Sequence, residues 1–359
     1  MTNADKNILW LDIFDFLTYG KKNKLLNLLD KNANIREVFL SNAEIKSILT
    51  NEEFNKMALC LNDEFLNKRI MEYEKDNVET ITFNNTKYPY TLKEISTPPL
   101  CLYCKGDVSL LNSFCFGVVG TRKPTDYGII TTKQYCKELS NAGVTIVSGL
   151  ADGIDSIAHK TALENNGKTI AVLAGGFNHI YPITNINLAR VIEEDNLLIS
   201  EYPPNTKPLS YYFPIRNRII AGLSKGVLVP EMGEKSGSMH TVNYAIEFNR
   251  DIFVVPGKIN SPMSKGANLL IKNLQGCITI DPKDILETYN LTKTQKLNQN
   301  TQLSINAQMV LTFIETEKRT YQEILDHTKI PANELNSLLI SLEIEGLIVK
   351  LANNNYIMA

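Results

Sequence analysis

The stretch FCFGVVG (114–120), continuing as TRKPTDYG (121–128), carries the signature of the whole architecture. It is a short apolar run without charge that ends on a glycine. It then passes through Thr121, Arg122 and Lys123 into an amphipathic segment at 132–142. Apolar character at successive positions, rather than at alternate ones, marks a strand covered on both faces. The same grammar recurs in VTIVSG (144–149), TIAVLAGG (169–176), LLISEY (197–202), GVLVPE (226–231), DIFVVPG (251–257) and CITI (277–280). Amphipathic stretches such as 132–142 and 154–165 lie between them. Strand and helix in alternation predict an α/β domain: a Rossmann-like, mostly parallel sheet with helices on both faces. Ligands on such sheets sit beyond the C-terminal ends of the strands.

The glycine, hydroxyl and basic residues of this chain concentrate at those ends. VVGTRKPTDYG (118–128), SGLADGIDSIAHKTAL (148–163), FPIRNRIIAGL (213–223) and EMGEKSGSMHT (231–241) each join an apolar run to a helical one. A helix N-terminus offers unpaired N–H groups and partial positive charge, so several such turns on one sheet suggest a surface for a run of phosphates. Gly120, Thr121 and Arg122 are expected there. So are Ser148 and Gly149, and Lys235 with the Ser236–Gly237–Ser238 turn. The stretch SEYPPNTKPLSYYFPIRNR (200–218) adds Tyr202, Tyr211, Tyr212 and Phe213 beside Arg216 and Arg218, the pairing of rings and cations used on single-stranded nucleic acid. Neither GxGxxG nor GxxxxGK[ST] is present, so no dinucleotide or ATP cofactor is expected. His159 lies inside a helical stretch with no nucleophile or paired carboxylate at a readable spacing, and is expected to be packed rather than catalytic.

On either side of this region the pattern changes. Residues 1–79 carry apolar side chains at helical spacing (Ile8, Leu11, Phe14; Leu25, Leu28; Ile35, Val38), predicting a small helical domain ahead of a Rossmann-like domain at 80–289. Residues 290–304 (NLTKTQKLNQNTQLS) read as a linker. Helices at 308–315, 321–327 and 332–345, followed by a hairpin, predict a winged helix at 305–359. Its presumed recognition helix carries Glu334, Glu343 and Glu345 with no Lys or Arg, so it is expected to meet protein rather than DNA.

A chain of 359 residues is expected to form two or three domains. Hydrophobic content of 43% with 21% charged residues fits a globular protein. No run approaches the ~18 apolar residues of a membrane span. The N-terminal apolar stretch contains acids, so a cytosolic protein without a leader is expected. A net charge of −2 excludes a protein coated in positive charge but not a local basic groove. Cys101 and Cys104 form one CxxC without a second pair, so they read as ordinary residues of a short strand and no metal is expected.

Taken in order, VGTRKP (119–124), SGLADGIDSIAH (148–159), Tyr181-Pro182, SEYPP (200–204), FPIRNRIIAGL (213–223), KSGSMHT (235–241), VPG (255–257) and GANLLI (266–271) resemble the DNA-processing protein A family (DprA, also called Smf). The resemblance is dense over roughly 80–280. It implies an extended Rossmann fold behind a SAM-like helical domain. It also implies a non-enzymatic dimer that binds single-stranded DNA entering during natural transformation, protects it and helps load the recombinase RecA. The pocket it implies comprises Gly120, Thr121 and Arg122 with Lys235 and the Ser236–Ser238 turn. Arg216, Asn217 and Arg218 stand in the family's strongest motif. One departure is Ile183, where many relatives carry a basic residue after the YP pair.

Two other readings compete with this one. A phosphoribohydrolase of related fold uses a PGGxGTxxE turn, and here Thr241 stands where its glutamate would be. A duplex-reading winged-helix regulator is disfavoured by the acidic helix.

Overall fold

The computed structural model describes residues 2–28, 35–291, 304–314, 318–344, 347–351 and 355–358. The chain divides near residue 294 into two compact units.

The first unit is built on a nine-stranded sheet. Its strands are β1 (Glu79–Thr82), β2 (Cys101–Gly106), β3 (Cys115–Val118), β4 (Thr145–Ser148), β5 (Lys168–Leu173), β6 (Leu197–Ser200), β7 (Gly226–Val229), β8 (Asp251–Val254) and β9 (Cys277–Ile278). They lie in the order β1-β2-β6-β5-β4-β3-β7-β8-β9. From β6 to β9 every pairing is parallel. The seven apolar runs are these seven strands. β3, β4 and β7 are buried at every position, which is why they show no polar alternation. β2 and β1 extend the sheet antiparallel at one edge.

The chain starts the parallel part at β3, steps outward through β4, β5 and β6, then returns to the other side of β3 with β7, β8 and β9. This is a doubly wound sheet with its switch point between β3 and β7. The helix Asp126–Asn141 buries Tyr135 and Leu139 against Phe116, Ile146 and Leu228 on one face. The helices Tyr212–Leu223 and Met239–Glu247 bury Ile219, Val242 and Ala245 against Val227, Val229 and Ile252 on the other.

Six helices occupy the N-terminal part among the described residues, the last being Asp63–Lys75. Thr2 and Thr50 begin capping boxes, and Asn42 and Asn62 cap two more starts. Their apolar residues, among them Ile8, Leu11 and Phe39, share one cluster with Leu100, Cys101, Tyr103, Ala171 and Leu198 of the sheet region. The Tyr103 hydroxyl donates to Asp12 at 3.0 Å, and Lys22 pairs with the same carboxylate at 3.1 Å. Secondary structure therefore changes near residue 79, while packing continues across it. Cys101 belongs to this cluster and Cys104 to the cluster on the opposite sheet face, so the two thiols point away from each other.

The second unit runs helix Ile305–Ile314, β10 (Arg319–Thr320), helices Tyr321–Thr328 and Ala332–Ile344, then β11 (Ile348–Leu351) and β12 (Asn355–Met358). The strands form an antiparallel sheet in the order β10-β12-β11, the element order of a winged helix. Val310, Ile324, Leu335, Leu339 and Tyr356 make its core. Exposed positions of the helix Ala332–Ile344 include Asn333, Glu334, Asn336, Ile340 and Glu343. Most of the expected linker, 292–303, and Glu345 lie outside the described residues.

Candidate nucleic-acid interface

The helices that follow β3 and β7 leave on opposite faces, so the loops at the ends of these neighbouring strands diverge and leave a crevice. The crevice is a cleft of about 1210 Å³. Gly120, Thr121 and Arg122 line it after β3, and the turn from Gly233 to Ser238 lines it after β7. Phe213, Arg216 and Asn217 come from the helix Tyr212–Leu223, Ile259 to Met263 from the loop after β8, and Lys265 from the start of the helix Lys265–Lys272.

Each loop is held from within. The Thr121 N–H donates to the Glu231 carbonyl at 2.9 Å. A Cβ on Gly120 would stand 2.6 Å from that carbonyl oxygen and from Ile154, so glycine here serves close packing of the loop on the sheet. The buried Glu231 carboxylate accepts from the Thr125 N–H at 2.8 Å and its hydroxyl at 2.7 Å. Glu231 thus anchors Thr125, whose hydroxyl caps the helix Asp126–Asn141 by accepting from the Gly128 N–H at 3.4 Å. At the next turn Asp155 accepts from the Gly149 N–H at 3.1 Å. Gly149 precedes the helix Ile154–Glu164, whose Ile154 and Ser156 N–H groups donate to the Thr121 and Ala151 carbonyls at 3.1 Å. The expectation that these two helix starts offer free N–H groups to phosphate is corrected in part, because the protein's own acceptors take several of them.

In the turn after β7, the Ser238 hydroxyl donates to the Gly120 carbonyl at 2.5 Å, and Ser236 donates to Ser238 at 3.1 Å. The Asn217 amide reaches the Gly237 carbonyl at 3.4 Å. These hydroxyls tie the two loops into one wall instead of standing free as donors. Two cations remain available. Arg122 and Lys235 are exposed and, among the described residues, neither forms an ion pair. Arg122 lies over the Phe213 ring at 5.9 Å, and Tyr181 meets that ring edge-on at 5.5 Å. Lys265 is engaged with Glu234 at 2.7 Å.

Gly237 and Gly120 answer opposite questions. A Cβ on Gly237 meets nothing within 4 Å, whereas one on Gly120 collides with backbone. Gly237→Leu is expected to obstruct ligand binding with an unchanged melting temperature. Gly120→Ala is expected to lower the melting temperature. Thermal scans and binding titrations on both variants check the pair.

Arg216 forms the floor. Its guanidinium donates to the Gly149 carbonyl at 2.7 Å, to the Val172 carbonyl, and to Asn217 at 3.2 Å. Burial pushes it down to about 10, against the attraction of Asp155, so it stays charged near neutrality. Three expected contact residues do not line the cleft. The Ser148 hydroxyl is buried and donates to the Val118 carbonyl at 2.6 Å. Gly149 is spent on Asp155 and Arg216. Arg218 is buried against Glu201, donating at 2.8 Å and through a second nitrogen, with a further bond to the Thr97 carbonyl at 2.9 Å. Burial accounts for all three placements: helix Tyr212–Leu223 turns Arg218 toward Glu201 at the end of β6, one position past Asn217.

His159 lies outside the cleft, fully buried, with Nδ1 2.7 Å from Thr169 Oγ1. That hydroxyl donates to the Ile146 carbonyl, so Nδ1 carries the proton. Burial holds the imidazole neutral, pushing it down to about 3. The unfolded chain takes up this proton near pH 6.5, so the associated stability is present above that value and lost as pH falls toward 3. Urea midpoints measured across that window should fall less steeply for His159→Gln.

The loop from Ile259 to Met263 was not anticipated, nor were Tyr181, Pro208 and Ser210 as lining residues. The rule that ligands meet strand C-terminal ends, applied to β8 as to β3 and β7, points to that loop. The side chain of Ile259, 98% exposed, reinforces it. No described helix is long and apolar enough to cross a membrane.

Comparison with known proteins converges on one family. The model of DNA recombination-mediator protein A matches residues 79–290. DNA processing protein DprA of Bacillus subtilis (strain 168) is 45% identical over 217 residues, 60% of this chain and 72% of that protein. Protein Smf of Escherichia coli (strain K12) is 44% identical over 216 residues, so the match spans only 57% of its length. DprA of Streptococcus pneumoniae (strain ATCC BAA-255 / R6) is 35% identical over 281 residues, 77% of this chain and 97% of that protein. The solved structure of DprA from Streptococcus pneumoniae superposes with a TM-score of 0.70 at 33% identity, covering 80% of this chain and 98% of that one. A structure of DNA processing protein A from Helicobacter pylori, described for its single-stranded DNA binding mode, superposes with a TM-score of 0.54 at 32% identity, covering 59% of this chain and 96% of that one. With more than half of its length matched by the family model, and its cleft built from the family's motifs, the chain belongs to the DNA recombination-mediator protein A family.

Proposed function

We propose that this protein binds single-stranded DNA in the cleft between the β3 and β7 loops. It would do so as a recombination mediator of natural transformation, acting without catalysis. The observation that carries the reading is the placement of two exposed cations, Arg122 and Lys235, without an ion pair among the described residues, on separate loops of one cleft whose floor holds a third, Arg216. Phosphates meet these charges, while Tyr181, Phe213, Ile259 and Met263 offer apolar surface to sugars and bases. Little sequence preference follows from contacts of this kind. The single-strand binding described for the Helicobacter pylori protein supports the assignment. Thr241, buried in the wall, has no carboxylate to protonate a leaving base, which favours binding over glycosidic cleavage.

Handing the strand to RecA as a homodimer completes the proposal. The edge strand β9, with its own Ile278 and the following Ile280 exposed, supports a self-association surface. The test is a titration of single-stranded and duplex DNA across a salt series. With about four phosphates neutralised, log K for the single strand should fall against log salt with a slope near −3. Equal affinity for duplex at moderate salt would sink the reading.

A further inference from the structure

The connection between β6 and the helix Tyr212–Leu223 is a wall with two sides. Pro208, Ser210 and Phe213 line the main cleft. Lys207, Leu209 and Tyr212 line a second hollow of about 470 Å³, closed on its far side by Ile13, Asp15, Arg69 and Tyr73 of the N-terminal helices. The wall is therefore only one chain thick, and the two depressions are neighbours across it. It is also stiff. Three prolines restrict it at positions 203, 204 and 208. Gly176 donates to the Thr206 carbonyl at 2.8 Å, and Asn178 to that of Pro204 at 3.0 Å.

On this wall three rings are piled. Tyr202 stacks on Tyr212 with centroids 4.1 Å apart, and Tyr211 packs edge-on against Tyr212 at 4.7 Å. Tyr212 is buried, whereas Tyr211 is 57% exposed and does not line the main cleft. A ring held by a buried partner, yet open to solvent, is the platform on which single-strand binders stack bases. The hollow beyond it is lined by Lys207, exposed and without an ion pair among the described residues, and by Asp15 and Arg69, the latter paired with Glu72 at 2.8 Å.

We propose that the bound strand continues from the main cleft across Tyr211 into this hollow, so that the N-terminal helices and the sheet together hold one longer segment. The inference rests on the single-strand reading of the cleft. It assigns the hollow to the same strand because the two depressions share a wall, because Tyr211 stands on it, and because the exposed ammonium of Lys207 lines it.

The experiment compares a five-nucleotide with a fifteen-nucleotide oligothymidylate, by fluorescence anisotropy on the full chain. The wild type should prefer the longer strand by more than the roughly elevenfold that additional registers alone supply. Tyr211→Ala should reduce the ratio of long-strand to short-strand affinity about tenfold, with Tyr211→Phe retaining it. Arg122→Ala should weaken both lengths together. Lys207→Glu gives an independent check should Tyr211→Ala alter the melting temperature, and it too should lower the ratio. An unchanged ratio in Tyr211→Ala and Lys207→Glu overturns the proposal, as does an equal loss on both lengths. If the wild type binds neither length, the single-strand reading falls and takes this inference with it.

Discussion

Arg122→Ala is expected to weaken single-strand binding by about tenfold or more while leaving the melting temperature within a degree or two of the wild type. A tenfold loss is about 1.4 kcal/mol, within the range of one charge-assisted contact between a guanidinium and a phosphate. The fold has little at stake in this side chain. Arg122 is exposed, and its described partner is the Phe213 ring at 5.9 Å. Such a stack contributes about 0.5–1 kcal/mol at an exposed site. Lysine at this position should recover part of the affinity, because it keeps the charge but not the planar fork. The salt slope should also become shallower by about 0.7 as one phosphate contact disappears. A well-folded Arg122→Ala protein with undiminished affinity would remove the cleft from consideration.

Arg218→Ala should do the opposite: a large loss of stability, with weakened binding only as its consequence. Removing one partner of a buried ion pair costs about 3–5 kcal/mol, because the other charge is left uncompensated in a low-dielectric site. Here the stranded group is the Glu201 carboxylate, and the Thr97 carbonyl loses its donor as well. Against a typical total stability of about 5–15 kcal/mol, that shift should be plain in a urea or thermal midpoint. Replacing both partners with apolar residues (Arg218→Met with Glu201→Leu) should return most of the loss, since no buried charge is then left alone. An Arg218→Ala protein as stable as the wild type but deficient in DNA binding would restore this residue to the interface.

The contrast between Arg216, Asn217 and Arg218 shows how far residue type alone can be read. All three belong to one motif, and cation-rich composition marked them equally. In the structure Arg216 makes the cleft floor, Asn217 braces the turn after β7, and Arg218 pairs with Glu201 at the end of β6. Successive helical residues differ by about 100° in direction, and which direction faces ligand depends on how the helix lies on the sheet. The serines raise the same issue. Ser148, Ser236 and Ser238 were legible as hydroxyl groups at strand ends, but their partners are carbonyls and hydroxyls brought close by folding, such as Gly120 for Ser238. The edge strand β1 also escaped notice, because ETIT carries no apolar run and is ordered by pairing with β2.

Much was nevertheless written in the chain. Seven apolar runs separated by amphipathic stretches specify a parallel, doubly wound sheet, because strands buried on both faces must be apolar throughout and parallel neighbours need helical crossovers. From that topology alone a ligand crevice at the strand C-termini follows, and Gly120, Arg122 and Lys235 could be placed beside it. What awaited the three-dimensional arrangement was the division of labour among the polar groups. Whether a carboxylate such as Glu231 holds a capping threonine, or an arginine meets solvent or a buried acid, depends on residues about a hundred positions away in some cases and far fewer in others. Contacts of that kind are made by the packing of whole elements, and local sequence carries no record of them.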